Sequence, residues 1–412
     1  MLFPAILHSV VRVGSLHLID GSGRTHEYGD GSLPRCTVRL GARHLDYMLA
    51  LNPELSLGEA YMNGLLTVEE GTLFDLLEIA ARNDSSKPAW NSLLPRMMRR
   101  LRQSNPVERA RRNVAHHYDL SDKLYSMFLD EDWQYSCAYF VSKDDDLDTA
   151  QANKKHHIAA KLLLEPTGLK ILDIGSGWGG LALYLAEEAD ADVTGITLSV
   201  EQHKMSQARA AAAGLADRVR FHLRDYREQA GVFDRVVSVG MFEHVGRKNY
   251  GKFFRNIDSL LDVNGIAILH SIGRSDTPSP ISPFISKYIF PGADLPSLSE
   301  VFAATKKTDL IVTDVEILRL HYAETLRHWR DRVVANREHI VALYDERFFR
   351  MWEFYLTLCE IGFRFGSLMV FQMQLAKRFD AVPVTRDYMT DCERQVRALR
   401  KRASTRRDPI AH

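Results

Sequence analysis

The chain has 412 residues, 45% of them apolar and 26% charged, and its 53 Lys/Arg are balanced by 53 Asp/Glu. That length exceeds one ordinary core and predicts a large domain with a smaller companion, while the composition is that of a globular protein. Zero net charge excludes general attraction to polyanions, so an anionic partner requires local segregation of charge.

Residues 1–85 read as a small mixed domain. Strand-like LHLID and CTVRLG flank the turn-rich DGSGRTHEYGDGSLPR, and helical stretches follow near 44–51 and 71–82. The opening MLFPAILHSVVRV lacks a basic leader and a small-residue cleavage site, and no run is long enough to span a bilayer. The expectation is a cytoplasmic protein that meets membranes, if at all, from one side. Cys36, Cys137, Cys359 and Cys392 show no CxxC pairing, which argues against a zinc site and a disulfide framework.

Residues 86–115 read as a basic linker. From Lys87 to His116 eight Lys/Arg face one acid, Glu108, and the tail from Cys392 to Arg407 carries seven against Glu393. In LLPRMMRRLRQ, Leu93, Leu94, Met97, Met98 and Leu101 alternate with arginines, the pattern of an amphipathic helix on an anionic lipid surface. A plain solvated helical face is the competing reading. Nucleic acid is disfavoured, because the stretch lacks interleaved aromatics and matches no reader module.

The remainder, residues 116–412, reads as the main domain. From Leu169 the strand-like LKILDIG, DVTGITLS, RVRFHLRD, FDRVVSVG and GIAILHSIG alternate with helical LALYLAEEA and VEQHKMSQARAAAAG. Such alternation predicts a doubly wound parallel sheet with its ligand at the carboxyl ends of the strands. Glu243 and His270 are expected just beyond two of those ends. The long apolar WEFYLTLCEIGFRFGSLMVFQMQL reads as helix.

Asp173-Ile-Gly-Ser-Gly-Trp-Gly-Gly180 stands between a strand and a helix, where glycines permit a tight turn and close approach of backbone N–H groups to a ligand. The spacing alone also satisfies a dinucleotide fingerprint. Such a site wants an acid about 20 residues on, but here that place reads Thr197-Leu198-Ser199, followed by Gln202. With Asp173 two residues before the first glycine, the loop points to S-adenosylmethionine. Asp173, Gly175, Ser176, Gly177, Trp178 and Gly179 are its expected contacts, with Thr197, Leu198, Ser199 and Gln202 replacing the missing acid.

HHYDLSDKLYSMFLD, WQYSCAYF, DIGSGWGG, TLSVEQ, the pair Asp225-Tyr226, VGMFEHVG, LHSIG, SPFISKYIFPG and HYAETLRHW follow one another in an order that resembles the cyclopropane-fatty-acyl-phospholipid and mycolic acid cyclopropane synthases. The resemblance runs from about His116 to Cys359. It implies an α/β fold: a doubly wound, Rossmann-like S-adenosylmethionine-dependent methyltransferase domain with a smaller N-terminal mixed α/β domain. It also implies that a methylene group is added to the cis double bond of an unsaturated phospholipid acyl chain to close a cyclopropane ring.

By resemblance, Tyr135, Ser136, Asp225 and Tyr226 join the donor site. A bound bicarbonate acts as base, held by Cys137, Glu243, His270, the backbone of Ile272 and Tyr322. Cys359 matches a cysteine once regarded as active in the family, although its apolar setting argues for packing. The irregular SPISPFISKYIFPGADLPS is expected as a lid or tunnel mouth. Anionic membranes are the implied partner, and a homodimer through the N-terminal unit is a further expectation. An ordinary methyltransferase of small molecules, a fatty acyl methyltransferase making a methyl or methylene branch, and a lipid-binding regulator without catalysis remain the alternatives.

Overall fold

Two separate sheets carry the chain in the computed structural model, which describes residues 2–83 and 121–395. β1 (Ser15–Ile19), β2 (Thr25–Gly29), β3 (Arg35–Leu40) and β4 (Leu66–Glu70) form the first, in the order β2-β1-β3-β4. Leu16, Leu18, Cys36, Val38 and Leu40 enter one core with residues of the helices Leu45–Leu51, Pro53–Met62 and Leu73–Asn83. The stretch read as one long turn holds a strand: Thr25–Gly29 pairs antiparallel with β1, placing Tyr28 opposite Leu16. Its glycine and aspartate flanks disguise a short edge strand whose buried side chain is Tyr28.

The second sheet contains β5 (Lys170–Ile174), β6 (Asp192–Thr197), β7 (Val219–Leu223), β8 (Phe233–Val239), β9 (Leu261–Arg274), β10 (Ile311–Ile317) and β11 (Leu368–Ala376), in the order β10-β11-β9-β8-β5-β6-β7. The five strands expected from the sequence run parallel, and β11 pairs antiparallel with both β9 and β10. Because β5 has β6 on one side and β8 on the other, the chain's winding reverses there. The carboxyl ends of β5 and β8 therefore open a crevice.

Two expectations change. The apolar stretch read as one helix divides: the helix Glu346–Arg364 stops, and Leu368–Ala376 is β11. An interior strand is covered on both faces, which is why Val370, Phe371, Met373 and Leu375 show no apolar stripe. Likewise His270 lies within β9, because pairing with β11 prolongs β9 beyond β8. It stands level with Val239, the last residue of β8.

The N-terminal unit rests on the main one through the helix Pro53–Met62. A β-carbon on Gly58 would come within 2.4 Å of Phe284 Cδ2, so the missing side chain lets the helices Pro283–Tyr288 and Glu346–Arg364 approach. Tyr61 Oη donates to Glu353 at 2.7 Å, and Lys287 and Tyr288 both donate to Glu59 Oε1. Phe284 is fully buried, so the segment expected as a lid or tunnel mouth also supplies core. The basic linker of residues 86–115 and the tail beyond residue 395 lie outside the described residues.

Candidate active site

Behind β5 the loop turns through Gly175, Gly177 and Gly179 at φ of 84°, 55° and 87°, backbone that other residues rarely adopt. It walls a cavity of about 150 Å³ together with Tyr135, Ser136, Thr197, Leu198, Gln202, Asp225 and Tyr226. Asp173, Ser176 and Trp178 line it too, and the buried Asp173 Oδ2, Ser176 Oγ and Trp178 Nε1 have no hydrogen-bond partner among the described residues. Buried polar atoms in a native protein are nearly always satisfied, so three on one wall mark a place for a polar ligand. Burial pushes the Asp173 carboxyl up to about 7, against the pull of Lys154. An ammonium group there would restore its charged form, which suits the methionine end of S-adenosylmethionine.

Gly179 and Ser199 stand off this wall. Gly179 begins the helix Gly180–Ala189, and Ser199 Oγ accepts the Gln202 N–H as the cap of the helix Val200–Ala212. Thr197 Oγ1 donates to Gln202 Oε1 at 2.9 Å, leaving the Gln202 amide nitrogen as the donor. Asp225 accepts from Arg227 N, Nε and Nη2, a clamp that fixes its carboxylate in the cavity wall.

A second cavity of about 330 Å³ shares Tyr135, Ser136, Gly240 and His244 with the first, so the two abut. Cys137, Glu243, His270, Ile272, Tyr322 and Cys359 all line it. Glu243 sits on the tight turn Phe242–His244 after β8, where its Oε1 accepts the Ile272 N–H at 2.6 Å and its buried Oε2 has no partner among the described residues. Burial lifts its pKa to about 7, opposed by that backbone bond. The backbone of Ile272 was expected to help hold an anion; here its N–H is engaged by Glu243.

The His270 ring is desolvated and held well below its usual pKa, and its Nδ1 meets Gln372 Nε2 at 3.1 Å. Tyr322, from the helix His321–Ala335, packs edge-on against Trp329. Burial raises both thiols, Cys359 to about 12, so neither is a thiolate nucleophile at neutral pH. Around this polar cluster the walls are apolar: Ile281, Ile285, Phe290 and Leu295 from the proline-rich segment, then Leu326, Leu358, Phe363 and Val370.

Several site residues escape a sequence reading. Trp133, Gln134, Arg224 and Met241 line the donor cavity, and His244, pushed down to about 4 by burial, stands between the two cavities. Tyr355 Oη meets Tyr135 Oη at 2.9 Å. Lys154 is fully buried and donates to Gln134 Oε1 at 2.5 Å and Ser136 Oγ at 2.9 Å; burial draws its pKa down to about 8, against Asp130. In LDTAQANKKHHIAAKL such a lysine looks like any solvated charge. The one available signal is its seven-residue spacing from Lys161, which puts both on one helical face.

Residues 106–373, well over half of the chain, match the family model described as mycolic acid cyclopropane synthetase. The chain belongs to that family. It is 39% identical over 324 residues to the Escherichia coli cyclopropane-fatty-acyl-phospholipid synthase, covering 78% of this chain and 83% of that one. A Pseudomonas putida protein described as "Probable fatty acid methyltransferase" is 35% identical over 383 residues, or 91% of this chain and 95% of its own. The mycolic acid cyclopropane synthase CmaA1 complexed with SAH and CTAB superposes with a TM-score of 0.62 at 35% identity, covering 66% of this chain and 99% of that one. The family transfers one-carbon units from S-adenosylmethionine to lipid acyl chains, and this chain is a methyltransferase of that kind. Among the described residues no helix is long and apolar enough to cross a membrane, and no cluster of His, Cys, Asp and Glu is placed to hold a metal ion.

Proposed function

We propose that the enzyme adds a methylene group to the cis double bond of unsaturated phospholipid acyl chains and closes a cyclopropane ring, with bicarbonate as the proton acceptor. The observation that carries this reading is the junction of the two cavities: a glycine-walled one that holds buried polar groups abuts a more apolar one whose lining includes Glu243, His270 and Tyr322. S-adenosylmethionine supplies the transferred carbon when bound, and Asp173, Gln202 and Asp225 are the side chains to hold it. The apolar walls align the acyl chain and exclude water. Glu243 Oε2 offers an acceptor, while His270 and Tyr322 offer donors, a set that suits a small oxyanion carrying one O–H. Low polarity around them strengthens each contact. Cys359 then serves as wall.

The same reading gives residues 86–115 a purpose as a basic surface for anionic headgroups on the inner face of the membrane, and residues 1–85 a role in pairing two copies. Tyr47 and Leu51, exposed at 64% and 76% on the N-terminal unit, support that pairing. A second reading, a methyl or methylene branch in place of a ring, draws support from the fatty acid methyltransferase that matches most of the chain.

Incubating the protein with labelled S-adenosylmethionine and liposomes of cis-unsaturated phospholipid, then analysing the released fatty acids, tests these readings. A ring has lost the alkene, whereas a methylene branch keeps one. Unmodified acyl chains overturn the proposal. Turnover that is unchanged in bicarbonate-free buffer removes the anion from it.

A further inference from the structure

One rung of the main sheet runs from the acyl cavity to the opposite edge: His270 on β9 pairs with Gln372 on β11, and Gln372 pairs with Glu316 on β10. Directly paired residues on neighbouring strands project to the same face. Over that face lies the helix Leu147–Leu162, and Lys161 from its last turn reaches down to donate to Gln372 Oε1 at 2.8 Å and Glu316 Oε2 at 2.5 Å. His270, Gln372 and Lys161 are 2%, 0% and 1% exposed. Water therefore does not set their hydrogen bonds; each is set by its neighbour.

The chain of donors and acceptors admits one solution. A lysine ammonium only donates, so the Gln372 atom it touches is the oxygen. The other end of that amide is then the NH₂ group, and it is this end that meets His270 Nδ1. An NH₂ group only donates, so Nδ1 accepts and carries no hydrogen. In a neutral imidazole the hydrogen then resides on Nε2. Burial, aided by Lys154 and Lys161, keeps the ring neutral.

We infer that Lys161 and Gln372 are positioning residues that lock His270 in the Nε2–H form, so that its free nitrogen is a hydrogen-bond donor to the reaction cavity. The inference deepens the oxyanion reading given above and rests on it. A neutral donor suits an anion that must itself keep its basicity, since an imidazolium in the same place would surrender its proton to the base. Glu316 balances the Lys161 charge, and His157 Nε2 in turn meets Glu316 at 2.6 Å. The lysine is thus fixed from below, while the side that touches Gln372 stays neutral and directional. Gln374 Nε2 also donates to the Lys161 carbonyl at 2.6 Å, tying the last turn of the helix to β11.

Nitrogen NMR of the full chain labelled in its histidine rings reads the tautomer directly, with the His270 signals assigned by their loss in His270→Gln. The expected wild-type spectrum has a protonated Nε2 and an unprotonated Nδ1 through neutral pH. A hydrogen on Nδ1 overturns the inference, whatever the variants do. Lys161→Met, which frees the amide to turn over, and Gln372→Leu, which removes it, are expected to mix the two tautomers. Both are expected to lower kcat by about 10- to 100-fold while leaving the affinity for S-adenosylmethionine unchanged. Should either variant fail to fold, the wild-type spectrum still decides. A wild-type tautomer that survives Lys161→Met removes the lysine from the argument. Liposomes left unmodified by a protein whose His270 carries its hydrogen on Nε2 would refute the lipid reading and leave the tautomer standing.

Discussion

Glu243 and Ile272 are joined by a 2.6 Å hydrogen bond from the backbone N–H to Oε1, which ties the turn after β8 to β9. One carboxylate oxygen is thereby fixed by the fold, and the other is buried at the cavity with no partner among the described residues. Glu243→Gln keeps the shape and offers an oxygen to Ile272, but it presents an NH₂ donor where an acceptor stood. Turnover should fall by about 100-fold or more, the scale of a misplaced acid-base group, while donor affinity stays near normal. Single-turnover kinetics beside equilibrium binding of S-adenosylmethionine separates the two; lost donor affinity would place Glu243 in the wrong cavity.

Activity and stability should respond to pH in opposite senses. Glu243 must be ionised to accept an O–H, and its pKa is raised to about 7, so turnover should climb through pH 7. That limb should vanish in Glu243→Gln. For folding, a carboxyl whose native pKa lies above its unfolded value contributes stability that is present at low pH and is lost between about pH 4.5 and 7. Asp173 behaves alike, having been raised to about 7 from 3.8. Each shift corresponds to about 3 to 4 kcal/mol for a fully buried group, as an order of magnitude. Thermal melts at pH 5 and pH 8 should therefore show Asp173→Asn gaining on the wild type at the higher pH.

The parallel half of the main sheet was legible because its inner strands, buried on both faces, read as apolar runs, and because Gly175 and Gly240 directly follow β5 and β8. β2 and β11 were not. β2 is a short edge strand among turn residues, and β11 follows a helix of the same apolar character, so period carries no information there. Part of each cavity wall stood in sequence motifs, but Trp133, Gln134, Arg224 and Met241 were not singled out, and how Ile272 is used was not legible, since a backbone N–H has no signature. Lys154 and Lys161 were hidden for a different reason: burial of a lysine depends on partners contributed by distant segments, Gln134 and Ser136 for one, Glu316 and Gln372 for the other.

Cys359 lines the acyl cavity, but its pKa of about 12 denies it a thiolate near neutrality. Cys359→Ala should keep most of the turnover, with any change confined to chain-length preference through the enlarged wall. Iodoacetamide should label it slowly at pH 8. Abolished turnover in this variant, with the fold intact by circular dichroism, would restore a chemical role.

Gly175 joins a φ of 84° to a close approach, since its absent β-carbon would lie 2.9 Å from Met241 Cβ. Left-handed backbone costs an alanine about 1 kcal/mol or more before the clash is counted. Gly175→Ala should weaken S-adenosylmethionine binding by at least about 10-fold, with a smaller effect on melting temperature. Isothermal titration decides, and unchanged affinity would mean that the loop does not approach the donor.

Gly58 tests how the N-terminal unit supports the acyl cavity from a distance. Its helix meets Phe284 and Phe354, and Phe284 lies between Ser282 and Ile285, both in the cavity wall. A β-carbon at residue 58 would sit 2.4 Å from Phe284 Cδ2 and 2.8 Å from Phe354 Cε1, and a buried ring between two helices has little room to yield. Overpacking of this kind costs about 1–3 kcal/mol. Gly58→Ala should therefore lower the melting temperature by several degrees and also raise KM for the acyl substrate, because the displaced Phe284 carries the wall with it. Affinity for S-adenosylmethionine should hold, since the donor cavity lies behind β5, on residues outside the core cluster that holds both rings. A drop in stability with both kinetic constants unchanged would show that the cavity wall does not depend on the N-terminal unit.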